Sequence, residues 1–223
     1  ACPDYQNKAL VECGLVIEGE AGKRYDRFRD RIMFPILDQR GNVIGFGGRV
    51  IGQGEPKYLN SPETPLFEKG RELYGLLQAR SAIRDEDCVI VVEGYMDVVA
   101  LAQHGIGNAV ATLGTATTPT HVHKLLRQAD RVIFCFDGDN AGRKAAARAL
   151  DASLEQVADN KTVAFLFLPP EDDPDSYVRA HGADAFRKLG RQAMPLTDFL
   201  MQELRAGKDL ATAEGRSQLV HAA

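Results

Sequence analysis

The sequence predicts an α/β protein: a parallel sheet with helices on both faces, preceded by a mixed α+β basic unit and followed by the start of a helical one. Three observations carry that reading. Four short apolar runs, CVIVV (88–92), NAVATLG (108–114), RVIFCF (131–136) and KTVAFLFLP (161–169), alternate with helical patterns. Strands apolar on both sides are those a parallel sheet buries on both faces. Cations concentrate ahead of these runs, eleven Lys or Arg against seven acids over residues 23–80, and acids dominate afterwards, twenty against fifteen over 81–223. Finally, carboxylates collect where the apolar runs end.

Taken in order, residues 32–51, IMFPILDQRGNVIGFGGRVI, read as a β-hairpin around a turn at Asp38–Asn42. The following stretch, GQGEPKYLNSPETPLFEKGRELYG, is long for a connection in a compact domain, and such loops often carry function. RELYGLLQARSAIR has helical spacing of Leu and Ala. EGYMDVVALAQHG, after CVIVV, is a helix closing on Gly105. TPTHVHKLLRQA opens a helix with Thr118 as N-cap and Pro119 in the first turn. NAGRKAAARALDASLEQV is a third helix, and LTDFLMQELRAG and ATAEGRSQLVHAA are amphipathic helices at the end. The expected division is 1–82, 87–169 and 170–223, in a piece excised from a longer protein.

Composition narrows the function classes. No apolar run approaches the roughly 20 residues that cross a bilayer, and ACPDYQNKAL has no apolar signal region, so the expected compartment is the cytoplasm. Cys2, Cys13, Cys88 and Cys135 stand alone, without a CxxC pair, so no zinc site is expected, and Cys88 and Cys135 read as buried thiols. A net charge of −4 argues against a nucleic-acid binder until it is resolved along the chain. The basic segment then suits a polyanion and the acidic one suits cations.

Ligands of open α/β sheets sit outside the carboxyl ends of the strands. Glu93 directly follows CVIVV, Asp137 and Asp139 follow RVIFCF, and Glu171, Asp172, Asp173 and Asp175 follow KTVAFLFLPP. Asp97 stands four residues after Glu93, which puts both on one face of a helix that starts there. Hard cations take oxygen ligands and use one or two carboxylates each, and paired cations clamp the two oxygens of a phosphoryl transfer. Each acid taken singly reads first as a helix cap; their convergence at three strand ends favours the cation. Gly138 would allow the tight turn aiming both aspartates inward, and Gly94 a close ligand approach. His121 and His123 read as solvated surface, and the glycines of GFGGR as sites of strand bending or template approach.

A strand ending in EG, then EGYMDVVAL, FDGDNAGRKAA and EDDPDS, resembles the Toprim domain of bacterial replicative (DnaG-type) primases. DRFRDRIMFPI, GFGGRV and PKYLNSPET resemble the same family's RNA polymerase core. The resemblance implies a Toprim-type sheet and an RNA polymerase that makes short primers on single-stranded DNA from ribonucleoside triphosphates. It implies Mg2+, with Mn2+ as a substitute, on Glu93, Asp137 and Asp139. Asp97, Asp173 and Asp175 would complete the catalytic acids. Arg27, Arg29, Arg49, Lys57, Asn60 and Lys69 would line the nucleotide and template path, with Tyr58 beside them. The family's helicase-docking domain is expected to lie outside this chain, and location at the bacterial nucleoid follows from the role. A Toprim nuclease, with water replacing the 3'-hydroxyl, or a non-catalytic DNA-binding module would use the same fold.

Overall fold

The computed structural model describes residues 4–222; Cys2 lies outside them. Its chain order begins with helix α1 (Lys8–Glu12) and a small antiparallel pair, β1 (Val16–Glu18) with β2 (Arg24–Asp26). The predicted hairpin follows as β3 (Arg31–Leu37) and β4 (Val43–Val50), joined by a third antiparallel strand, β5 (Tyr58–Asn60). Asp38 holds the turn between β3 and β4, its carboxylate accepting from the Arg40 and Asn42 amides. That hydrogen bonding keeps the Asp38 pKa below the usual carboxylate value.

Helix α2 (Leu76–Glu86) starts five residues later than the Leu/Ala spacing suggests. Two contacts hold the missing turn extended: the Tyr74 backbone exchanges hydrogen bonds with Ala111 at 2.9 and 3.0 Å, and Gly75 has φ of +82°. Such a φ is open to glycine and strained for other residues. Leu76, Ala79 and Ile83 then enter the core of the main sheet.

The main sheet contains β6 (Cys88–Val92), β7 (Ala109–Ala111), β8 (Arg131–Phe136), β9 (Thr162–Phe167) and the short β10 (Met194–Pro195). Its order is β10-β9-β8-β6-β7, parallel throughout except for β10 against β9. Between the strands lie α3 (Tyr95–Gln103), α4 (Pro119–Leu126) and α5 (Asn140–Leu154). Helices α6 (Pro174–Arg191), α7 (Leu196–Arg205) and α8 (Ala213–Ala222) follow. Val89, Val91, Val132, Phe134, Phe136, Val163 and Phe165 face one layer, which includes residues of α2, α4, α5 and α7. Ile90, Val92, Ile133, Cys135, Ala164 and Leu166 face the other, which includes residues of α3 and α6. The period of two thus feeds both faces with apolar side chains, as a sheet covered on both sides requires.

Helix α7 is fastened by Phe199, 1 % exposed, whose ring centroid lies 4.7 Å from that of Phe165. Burying a side chain of this size stabilises by about 1.5–3 kcal/mol, and aromatic contact adds about 0.5–1.5 kcal/mol. Cys135 is buried as expected, Cys88 half-buried, and Cys13 exposed. None of the helices among the described residues is long and apolar enough to cross a membrane.

His121 departs from the surface reading: it is wholly buried. Its Nδ1 accepts from the Thr118 amide at 3.3 Å, while Nε2 lies 3.0 and 3.1 Å from the carbonyls of Lys69 and Glu72. Carbonyls only accept, so Nε2 carries the proton and the ring is neutral. Burial lowers its pKa. Spacing alone misled here because a residue in the first turn of a helix can face a loop that arrives from fifty residues away.

Candidate active site

The chain leaves β6 for β7 on one side and returns to β8 on the other. The carboxyl ends of β6 and β8 therefore flank a topological switch point, where an open α/β sheet leaves a crevice. Glu93 stands at the end of β6 and Asp137 at the end of β8. The crevice opens into a cavity of about 330 Å3 lined by Glu93, Asp97, Asp137 and Asp173 on the sheet side. Lys57, Tyr58 and Asn60, from the basic β3–β5 sheet, form the facing wall, with Tyr95 between.

Several of these acids are also helix caps, so the two readings of the sequence are not exclusive. Asp139, which like Asp175 lies outside the cavity lining, is the N-cap of α5 and accepts from the Gly142 amide at 2.7 Å. Asp173 caps α6, accepting from the Ser176 amide at 2.7 Å. Asp97 accepts from the Gly94 amide at 3.1 Å. A cap uses one carboxylate oxygen and leaves the other free, so capping orients these groups without consuming them. Asp175 instead pairs with Arg179 at 2.5 Å along α6. Glu93 precedes the N-cap Gly94 and so lies outside α3; it meets Asp97 in the cavity rather than on a helix face.

The electrostatics are those of negative charges held together. Partial burial, then the charges of Asp137 and Asp139, raise the Glu93 pKa, although much of that side chain is exposed at the cavity mouth. Burial, then Asp173 and Asp139, raises that of Asp137. Asp97 is pushed up to about 7, by burial first and then by Asp173 and Asp137, against the lowering effect of the Gly94 amide. Each of these groups would be ionised more readily beside a cation. Among the described residues no three acidic, His or Cys side chains form a ready cation cage. An all-oxygen donor set in a solvent-open cavity nevertheless fits a hard divalent cation, which keeps several waters and needs only one or two carboxylates.

At two glycines the neighbours leave little room for a side chain. A Cβ on Gly138 would stand 2.4 Å from the Leu168 carbonyl oxygen and 2.6 Å from that of Pro169. Close approach of the β9 exit excludes a side chain there. At Gly94 the near group is the Asp97 carboxylate, 2.9 Å from a Cβ position. In GFGGR, Gly47 makes room for the Tyr95 ring (2.6 Å), Gly45 for Phe67 and Gly48 for Phe28. The protein's own rings fill the spaces that the hairpin glycines open.

Of the six residues expected along the nucleotide and template path, Lys57 and Asn60 line the acidic cavity. Asn60 donates to the Leu113 carbonyl at 2.8 Å and accepts from the Tyr95 hydroxyl, joining the basic sheet to the main one. Arg49 lies outside that cavity, 5.9 Å over the Tyr58 ring, with Lys57 5.8 Å from the same ring. Arg27, Arg29 and Lys69 also lie outside the lining, with Arg29 over Tyr25. The Nε atoms of Arg27 and Arg49 are buried without a hydrogen-bond partner. Arg143 stacks over the Phe167 ring at 5.2 Å. Sequence reasoning overlooked Tyr95, Thr112 and Gly114 in the lining, and also Arg31, whose guanidinium donates to the carbonyls of Gly48, Pro56 and Lys57. The paired fork of Arg31 was legible only as one more cation in a basic run.

Residues 2–80 match the family described as the DNA primase catalytic core, N-terminal domain, and residues 87–165 match the Toprim domain. Residues 197–223 match the DnaB-helicase binding domain of primase. This corrects the expectation that the helicase-docking part lies wholly outside the chain; an amphipathic helix pair carries no signal that distinguishes such a module from ordinary core. The DNA primase of Pseudomonas aeruginosa is 59% identical over 216 residues, covering 96% of this chain and 32% of the relative. That of Escherichia coli K12 is 52% identical over 212 residues, with 95% and 36% covered. The chain thus spans about a third of the length of the curated relatives it matches. The crystal structure of a DNA primase domain from Pseudomonas aeruginosa superposes with a TM-score of 0.91 at 59% identity, over 95% of this chain and 67% of that one. The structure of the DnaG primase catalytic domain bound to ssDNA gives 0.92 at 52% identity, over 96% and 69%. A Toprim domain alone would leave several families open; joined to the primase-specific amino-terminal unit and to these relatives, it settles that the chain belongs to the DnaG-type bacterial DNA primases.

Proposed function

We propose that this chain is the polymerising part of a primase, joining ribonucleotides into short RNA on a single-stranded DNA template. The observation that supports the reading best is the single cavity in which carboxylates from β6, α3, β8 and the start of α6 face Lys57, Tyr58 and Asn60. Negative groups with raised proton affinity on one wall and a cation with an aromatic ring on the other suit a triphosphate accompanied by Mg2+, or by Mn2+ in its place. Glu93, Asp137 and Asp139 would hold the cation, and Asp97, Asp173 and Asp175 would complete the acidic site. A cation held there would lower the pKa of the attacking 3'-hydroxyl and stabilise charge on the pyrophosphate that leaves.

The remaining work falls to the chain itself. Capping amides fix the Asp97, Asp139 and Asp173 carboxylates by one oxygen each, so these groups stand in place before substrate arrives. Lys57 supplies positive charge to phosphate from the opposite wall. Tyr58, 39 % exposed, offers a ring face on which a base can stack. Arg27, Arg29, Arg49 and Lys69 continue the positive track along which single-stranded DNA would run. Helices α7 and α8 would present part of the surface on which a replicative helicase docks, in the cytoplasm at the nucleoid.

The test is ribonucleotide incorporation on single-stranded DNA with Mg2+ or Mn2+, comparing the chain with Asp137→Asn. Template-dependent RNA from the unmodified chain, reduced at least a hundredfold in the variant, is the expected outcome. Equal synthesis by both would remove Asp137 from the chemistry. Cleavage of DNA without synthesis would favour the nuclease reading.

A further inference from the structure

The buried imidazole of His121 has no part in the chemistry above, and its surroundings are densely hydrogen-bonded. Four consecutive carbonyls of the loop before α2, those of Lys69, Gly70, Arg71 and Glu72, are each taken by a side chain of α4 or its cap. Thr118 Oγ1 donates to Gly70 at 2.6 Å. His121 Nε2 lies 3.0 Å from the Lys69 oxygen and 3.1 Å from that of Glu72. Lys124 Nζ donates to the Arg71 carbonyl at 2.5 Å and meets the Glu72 carboxylate at 3.0 Å. Thr118, His121 and Lys124 stand three residues apart, so they form one row along the helix.

Lys69 itself is held on both sides of its peptide unit. Its carbonyl faces His121, and its amide donates to the Glu63 carboxylate at 3.2 Å. Its ammonium, by contrast, makes no ion pair or hydrogen bond among the described residues. Fixing a backbone this thoroughly while leaving the charge unspent makes structural sense where the charge serves something that arrives from outside. We propose that the Thr118–His121–Lys124 row is a clamp, with His121 as its central positioning residue, that sets the Lys69 ammonium to receive a phosphate group. The clamp rests on the reading of the chain as a nucleotide polymeriser, in which that phosphate belongs either to the DNA template or to a ribonucleoside triphosphate.

The geometry makes the row selective for the neutral ring. A proton on Nδ1 would point at the Thr118 amide, which already donates there. The other charged groups near the ring are Lys124, on α4 itself, and Glu72, on the clamped loop. They pair with one another and leave the imidazole to the backbone.

The experiment uses a double-mutant cycle on the whole chain with two probes, a single-stranded oligodeoxynucleotide and a ribonucleoside triphosphate, each titrated over a range of salt. Lys69→Ala should weaken one probe about fivefold and reduce its salt slope by about one, the signature of one lost phosphate contact. His121→Phe, which keeps the ring volume without the hydrogen bonds, should weaken the same probe by a similar factor. In His121→Phe/Lys69→Ala the two effects should not add. Thr118→Val, a smaller change that removes the Gly70 bond, serves should the Phe variant fail to fold; it should give a partial loss, again absent on the Lys69→Ala background. The probe that responds identifies the phosphate. Additive effects, or a Lys69→Ala variant that binds both probes unchanged, would overturn the clamp. Neither result would touch the carboxylate assignment, which stands or falls with Asp137→Asn.

Discussion

Replacing Asp97 by Asn should stabilise the cation-free protein at neutral and higher pH, although it removes a carboxylate proposed to be functional. Burial and the neighbouring charges of Asp173 and Asp137 push the Asp97 pKa up to about 7. In the unfolded chain the same group ionises near 4. Between those values the folded state binds more protons, so stability falls as pH rises through the window. At about 1.4 kcal/mol for each tenfold change in proton affinity, the interval is worth about 4 kcal/mol at full burial. Asp97 is only half-buried and its repulsion is shared with groups that titrate alongside it, so about 1–2 kcal/mol is the working expectation. Asn keeps the size and an oxygen for the Gly94 amide. The assay is thermal unfolding in a chelator at pH 8 and pH 5. For a chain of this length 1 kcal/mol moves Tm by about 2–4 °C, so the variant should melt about 2–8 °C higher at pH 8. The difference should shrink towards pH 5. A variant that is less stable at pH 8, or a gain that persists undiminished at pH 5, would refute the electrostatic argument.

Other expectations follow from the same geometry. Divalent cation should raise Tm more at pH 8 than at pH 6, since protons compete for the raised-pKa carboxylates of Glu93, Asp97 and Asp137; equal shifts at both pH values would count against binding there. Gly138→Ala forces a methyl against two backbone carbonyls and should destabilise by about 1–3 kcal/mol in urea unfolding, whereas a neutral result would mean that the β9 exit is free to yield. Tyr95→Phe leaves the Asn60 side-chain oxygen without its donor and should destabilise by about 1–2 kcal/mol, measured in the same way; an unchanged midpoint would show that water replaces the hydroxyl.

Much of the main sheet was legible in the sequence because its signals are local. CVIVV and RVIFCF mark β6 and β8 to the residue, and Thr118 and Pro119 announce the start of α4 as cap and first turn. Strand ends carry their carboxylates in sequence, so the acids group from the sequence alone. What was not legible depends on partners distant in the chain. The late start of α2 is set by Tyr74 meeting Ala111, and the burial of His121 by carbonyls at 69 and 72. The purpose of Gly47 is visible only once Tyr95 lies against it. The cations split for a related reason: the basic run gives charge without direction, and folding directs Lys57 into the cavity while Arg31 turns to the carbonyls of Gly48, Pro56 and Lys57.

The Tyr95 ring has a consequence for how the two walls of the cavity can respond to a guest. It lies against the backbone of Gly47 on one side, stacks on Phe34 at 5.3 Å and meets Tyr74 at 5.2 Å, while its hydroxyl reaches Asn60. The basic sheet and the parallel sheet are therefore separated by a solid spacer, not by a hinge. A slot whose width is set by an aromatic ring does not grip by closing, and it does not reject by staying open. Under the proposed function, nucleotides would be discriminated by what already lines the slot when they enter, with recognition preceding a chemistry that needs no large closing motion.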